Sequence, residues 1–108
     1  MGNDNQEIYQ AIFEVVRLIP KGRVTSYGAV AKAIGLKSGA RMVGRAMSYT
    51  MNVKPPIPVH RVVNSSGVLS GDNGTRERKL EEEGVHILNS KIVEFKKVFW
   101  DPLKEIGL

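Results

Sequence analysis

The sequence predicts a mostly α fold with a small β-hairpin, arranged as a winged helix-turn-helix. Three observations predict it. Apolar residues recur at helical spacing between residues 8 and 19. Two shorter helical patterns then flank the glycine-containing turn Gly35-Leu36-Lys37-Ser38. After a proline-rich stretch, two short apolar segments surround the turn Asn64-Ser65-Ser66-Gly67. The length of 108 residues predicts one domain spanning residues 1–108. A chain of this size buries roughly two-thirds of its unfolded surface and needs no metal or disulfide staple.

The elements follow in order. Asp4 or Asn5 can cap a first helix running to about Ile19, with Ile8, Ile12, Val15, Val16 and Ile19 as its apolar stripe. Pro20-Lys21-Gly22 ends it, and Arg23-Val24 is a short extended piece. Thr25 or Ser26 caps a second helix reaching Ile34, with Gly35 at a left-handed C-cap. Ser38 caps a third helix over residues 39–48, in which Val43, Ala46 and Met47 are available for packing. Pro55, Pro56 and Pro58 keep residues 50–58 a loop. Residues 59–63 read as a strand, with Val68-Leu69-Ser70 pairing back as the wing. Asp72-Asn73-Gly74 is a turn, Thr75 caps a fourth helix to Glu83, and Gly84 ends it. Residues 92–95 and 98–100 read as extended.

Composition excludes several functions. The chain has no cysteine, so disulfides, zinc ribbons and cysteine nucleophiles are out. With two histidines and no cysteine, no metal and no cofactor is expected. No apolar run approaches the ~20 residues of a membrane span. The polar start Met1-Gly2-Asn3-Asp4-Asn5 is no secretory signal, so the expected compartment is cytoplasmic. The net charge of +5 is unevenly spread. No acidic residue occurs between Glu14 and Asp72, a stretch holding nine lysines and arginines. Such a distribution suits a polyanion partner, with affinity that falls as salt rises.

The third helix carries the chemistry of that partner. Arg41 and Arg45 are four apart and share a helical face. Ala40 and Gly44 are small, which suits either close approach to a groove or close helix packing. Tyr27 follows the cap Ser26 and is either a phosphate donor or a half-buried core residue.

Four ordered blocks carry a resemblance. They are Ile19-Pro20-Lys21-Gly22-Arg23-Val24-Thr25-Ser26-Tyr27-Gly28, Ala40-Arg41-Met42-Val43-Gly44, Ile57-Pro58-Val59-His60-Arg61-Val62-Val63, and Glu83-Gly84. Over residues 6–83 the chain resembles the C-terminal DNA-binding domain of the alkylguanine-DNA alkyltransferases. In those enzymes the third block reads Pro-Cys-His-Arg, and the cysteine takes the alkyl group from a flipped-out guanine. Val59 stands there in this chain. A valine has no lone pair and no titratable proton, so alkyl transfer cannot run at this position. The chain is therefore similar to the alkyltransferase-like proteins, which bind O6-alkylguanine and hand the lesion to nucleotide excision repair. The tail Lys96-Lys97-Val98-Phe99-Trp100 resembles the ending of that group.

The resemblance implies roles. Ser26, Tyr27, Arg41, Gly44 and Arg45 would bind DNA, with Tyr27 at the phosphate 3′ to the target and Arg41 filling the gap in the stack. The third helix would lie in the minor groove, where inserted side chains are familiar. Tyr27, Pro58, Val59, Arg61, Ser70 and Gly71 would line the lesion pocket. His60 and Glu83 match the enzymes' relay and, without a thiol, would form a structural hydrogen bond. Asn52 lies one place from the enzymes' hinge asparagine, and Arg76 and Arg78 receive no role. The partners implied are double-stranded DNA with alkylated guanine and nucleotide excision repair proteins, bound by a monomer with no membrane contact. Three other readings compete: a sequence-specific helix-turn-helix regulator, an alkyltransferase inactivated by replacement of its cysteine, and a hydrolase drawing acids from Asp72, Glu77 and residues 81–83. The last segment also suits a protein-protein contact.

Overall fold

In the computed structural model, residues 2–37, 39–69 and 74–106 are described. Helix α1 (Gly2–Arg17) begins ahead of Asp4 and Asn5, the expected caps, and stops two residues short of Ile19. Its end tightens, as Leu18 and Ile19 donate to the carbonyls of Val15 and Val16, three residues back. The apolar stripe does its expected work: Ile12, Val15, Val16 and Ile19 are buried, and Ile8 packs beside them.

The next segment forms strand β1 (Thr25–Ser26) and helix α2 (Tyr27–Ala33). Ser26 is the cap, its hydroxyl accepting the Ala29 N–H at 3.0 Å. Gly35 takes the left-handed conformation expected of it, with φ +78°. Helix α3 (Ala40–Met47) starts with Gly39 at the cap position and no side-chain cap bond. Ser38, the expected cap, lies outside the described residues.

The strand expected over residues 59–63 forms only at its end. Val59–Arg61 is a 3-10 turn, closed by the Arg61 N–H on the Pro58 carbonyl at 3.0 Å, and β2 is Val62–Val63. Strand β2 pairs in parallel with β1, Thr25 opposite Val62 and Ser26 opposite Val63. The wing does not pair back on this strand. The Asn64 side chain accepts the Ser66 and Val68 N–H groups at 3.0 and 2.9 Å, turning the chain away. Val68 instead bridges Lys91, and Leu69 donates to the Ser90 carbonyl at 2.8 Å. Ser70 lies outside the described residues.

The small hairpin lies further on, between β3 (Ile87–Leu88) and β4 (Lys91–Ile92). Its two turn residues, Asn89 and Ser90, have φ 53° and 61°, the left-handed pair that tight hairpins use. Helix α4 (Thr75–Glu82) starts at Gly74 rather than at a Thr75 cap, with Glu83 as its C-cap. The expected extended tail is partly helical: α5 (Phe95–Val98) is one turn, and α6 (Pro102–Glu105) is capped by Asp101. Between them Phe99 bridges Val24, and Trp100 donates to the Val24 carbonyl at 2.7 Å.

The two strands divide the core. Val62 packs with Ile12, Val16, Val30, Val43 and Trp100, joining α1, α2 and α3. Val63, its neighbour on the opposite face, packs with Val24, Leu69, Leu80, Val85 and Ile92. The helix-turn-helix and the α4 unit are thus held against each other through a two-residue strand.

Candidate nucleic-acid interface

The angle between α2 and α3 depends on Gly39. It is buried, and a Cβ there would lie 2.6 Å from the Leu36 Cβ and 3.0 Å from the Ala31 Cβ. Val43 and Ala46 of α3 face inward, while Ala40, Arg41 and Arg45 are exposed. A Cβ at Gly44 would meet nothing within 4 Å, and the same holds at Gly28 on α2. The small residues Ala40 and Gly44 therefore do not serve helix packing. They leave an open backbone beside two arginines.

The basic stretch divides into two kinds of residue. Arg17 donates to the Pro55 carbonyl at 3.1 Å. Arg23 donates to the Val98 carbonyl at 3.0 Å and the Phe99 carbonyl at 2.6 Å, clamping the tail. Arg61 is committed to α4, as described below. Lys21, Lys32, Lys37, Arg41, Arg45 and Lys54 are exposed, and no carboxylate among the described residues pairs with them. These six, rather than all nine, are the charge available to a polyanion.

Tyr27 is half-buried, as the core reading of its residue type expects. Its ring packs against the core cluster of α1, α2 and α3. Its hydroxyl accepts the Arg76 Nη1 at 3.5 Å. Pro58 and Val59 are half-buried, with Val59 packed against the same core. Ser70 and Gly71, the remaining expected pocket residues, lie outside the described residues.

Arg61 is turned onto α4. Its Nε and Nη2 donate to the two Glu83 oxygens at 3.0 and 2.7 Å, and its Nη1 donates to the Ile19 carbonyl at 2.9 Å. A carboxylate that is only 10% exposed needs such a partner, and the planar fork of arginine supplies two parallel bonds. His60 Nε2 lies 2.8 Å from Glu83 Oε2, and the Gly22 N–H donates to Oε1 at 3.1 Å. Gly22 has φ +84°, and a Cβ there would lie 3.1 Å from the Glu83 carbonyl oxygen.

One carboxylate thus gathers the Pro20–Gly22 turn, the 3-10 turn and the end of α4. Burial alone would raise the Glu83 carboxyl, but hydrogen bonds from Arg61, His60 and Gly22 outweigh it and hold it at about 2. Burial lowers the His60 imidazole despite its Glu83 partner. At neutral pH His60 is therefore neutral and donates its Nε2 proton to an ionised Glu83. The sequence pointed to His60 and Glu83 but not to Arg61 or Gly22 as partners. Their signal was present only as the adjacency of His60 and Arg61, which one 3-10 turn presents to the same carboxylate.

Among the described residues no group of three or more His, Asp or Glu is placed to hold a metal ion. No described helix is long and apolar enough to cross a membrane.

The fold is that of helix-turn-helix DNA-binding proteins. Comparison with known proteins makes the class specific. Residues 7–85 match the family described as 6-O-methylguanine DNA methyltransferase, DNA binding domain. Alkyltransferase-like protein 1 of Schizosaccharomyces pombe is 37% identical over 106 residues, covering 89% of this chain and 96% of that protein. A DNA base-flipping protein of Vibrio parahaemolyticus is 36% identical over 94 residues, covering 84% of this chain and 93% of that protein. The crystal structure of S. pombe Atl1 in complex with damaged DNA containing O6-carboxymethylguanine matches with a TM-score of 0.77 at 33% identity, covering 88% of this chain and 95% of that one. The chain belongs to the 6-O-methylguanine DNA methyltransferase DNA-binding-domain family and, within it, to the alkyltransferase-like proteins.

Proposed function

We propose that this protein binds duplex DNA containing O6-alkylguanine through the minor groove, flips the modified base and leaves the alkyl group in place. The observation that carries the reading is an open, small-residue helix face flanked by Arg41 and Arg45, on a chain without any cysteine. Arg41 enters the gap left by the flipped base, Tyr27 donates to a backbone phosphate, and Ser26 holds the start of α2. Tyr27, Pro58, Val59 and Arg61 are the described residues of the pocket. Two similar proteins support the reading, one named as base-flipping and one solved on damaged DNA.

Selectivity follows from the cost of extrusion. One additional methyl in an apolar pocket is worth about 0.8 kcal/mol, roughly fourfold. Unstacking and unpairing a normal base costs a few kcal/mol, and a poorly paired alkylguanine costs less. The bound lesion, still alkylated, is then a marker for other machinery, and nucleotide excision repair is the route we propose.

The test is fluorescence anisotropy at fixed salt with two duplexes that differ by one O6-methyl group. Tighter binding to the methylated duplex, with the methyl retained on the DNA afterwards, is the expected result. Equal binding to both overturns lesion recognition, and loss of the methyl overturns the non-catalytic assignment. Arg41→Ala should weaken lesion binding more than Lys37→Ala does.

A further inference from the structure

One groove of the molecule has no part in the site described above. Helix α1 presents Glu7, Gln10 and Glu14 along one side, and with Tyr9, Phe13 and Tyr49 they line a groove of about 810 Å³. Clefts of about 300–1,000 Å³ hold a ligand the size of a few side chains. The floor is fixed, since Phe13 is buried and Tyr9 packs on the same core. Tyr49 is 62% exposed but held in place. Its ring stacks on Tyr9, with centroids 5.8 Å apart and 24° between the planes. Its N–H donates to the Ala46 carbonyl at 3.0 Å, and the Thr50 hydroxyl donates to the Met47 carbonyl at 3.2 Å. A ring already ordered loses little entropy when a partner covers it. Charge then selects the occupant. No lysine or arginine lines the groove, and neither Glu7 nor Glu14 pairs with a cation among the described residues. Two carboxylates repel phosphate, so the occupant is not DNA. A guanidinium suits both kinds of wall, because its fork matches a carboxylate and its plane stacks on an aromatic face.

We propose that this groove docks a short segment of another protein, one in which an arginine lies beside an apolar residue. The arginine stacks on Tyr49 and answers the Glu7 and Glu14 carboxylates, while its apolar neighbour covers the rest of the Tyr9 and Tyr49 rings. None of the residues assigned to DNA lines this groove, so the segment and a duplex can be held together. The proposal goes beyond the lesion reading and does not depend on it.

The experiment selects a displayed library of random peptides on the full chain, freed of nucleic acid. The recovered sequences should pair arginine with an aromatic or aliphatic residue. The strongest of them, made as a labelled peptide, is then titrated by anisotropy against wild type, Tyr49→Ala and the double variant Glu7→Gln with Glu14→Gln. These substitutions change an exposed ring and two exposed carboxylates, and thermal melts check that the variants fold. Tyr49→Ala should weaken peptide binding about tenfold or more, as loss of an aromatic anchor does, and the double variant should weaken it by a similar factor. Glu7→Asp with Glu14→Asp should recover part of the loss. All the variants should bind the O6-methylguanine duplex as wild type does. No enriched sequence, enrichment of acidic sequences, or a peptide whose affinity survives both sets of substitutions overturns the proposal. Self-association in sedimentation that Tyr49→Ala abolishes assigns the groove to a second copy of this chain and also overturns it. Equal binding of wild type to the methylated and unmodified duplexes overturns lesion recognition alone and leaves the peptide result to decide the groove.

Discussion

Glu83→Gln keeps the size of the side chain and removes the charge on which four donors converge. The carboxyl is held at about 2, against an ordinary value of 4.5. At about 1.4 kcal/mol per pH unit, that difference is worth roughly 3 kcal/mol of stability at neutral pH. Solvent screening takes little away, because the side chain is only 10% exposed. The structure supports the same magnitude independently. Without the charge, the Arg61 guanidinium keeps its bond to the Ile19 carbonyl and one neutral amide oxygen, and loses its ionic partner; unpairing a buried charge costs about 3–5 kcal/mol. The assay is urea unfolding of both proteins from pH 7 down to pH 2.5. The unfolded carboxyl takes its proton near 4.5 and the folded one only near 2. The stabilisation is therefore complete above pH 4.5 and lost as the pH falls through 2. The gap between wild type and variant should be about 3 kcal/mol at pH 7 and shrink below pH 4.5. A gap under about 1 kcal/mol at pH 7, or one that does not shrink in acid, would refute the assignment of Glu83 as the fastener of the three segments.

Three further outcomes are expected. The His60 pKa is lowered on folding, so the unfolded imidazole protonates first; the melting temperature of wild type should begin to fall below pH 6.5, and His60→Gln should remove that part of the fall in calorimetry. Gly44→Leu adds a side chain into open space, so melting should be unchanged or raised by up to about 1 kcal/mol of stability. The same variant should lose at least about tenfold in DNA affinity, as a blocked backbone approach requires, and normal binding would place the DNA elsewhere. Gly39→Ala pushes a methyl against the Leu36 and Ala31 side chains and should cost about 1–3 kcal/mol in urea unfolding, with a shift of α3 visible in the amide spectrum.

The helix-turn-helix was legible because its signals act over a few residues. The Ser26 cap, the Gly35 stop and the apolar spacing of α1 each need only one helical turn to operate. The sheet was not legible for the opposite reason. A two-residue strand has no alternation to read, and the parallel pairing of β1 with β2 is set by packing between distant segments. Asn64 looked like an ordinary turn residue, and its side chain is what redirects the chain from the expected wing to β4. Helix α6 did carry a signal, Asp101 at the cap followed by Pro102, which its four-residue length concealed. Charge misled in a different way. Arg17, Arg23 and Arg61 counted toward a basic footprint, but their nitrogens hold backbone carbonyls and a buried carboxylate. A sequence lists charges without directions, and an arginine is long enough to turn inward.

The same network explains how recognition can outlast chemistry in this fold. A relay that activates a nucleophile needs a histidine poised to take a proton from position 59. Here the His60–Glu83 bond of such a relay is in place, but Val59 offers no proton to take. None of the four bonds to Glu83 involves position 59. Replacing a cysteine there by an aliphatic side chain removes the reaction and leaves the fastening of the Gly22 turn, the 3-10 turn and α4 untouched. Val59 then contributes as a packing residue against the α1–α3 core, the body that also supports Tyr27 and α3. The fastening of these three segments is thus independent of the side chain at position 59, and any apolar residue of suitable size there can support the core beneath α2 and α3.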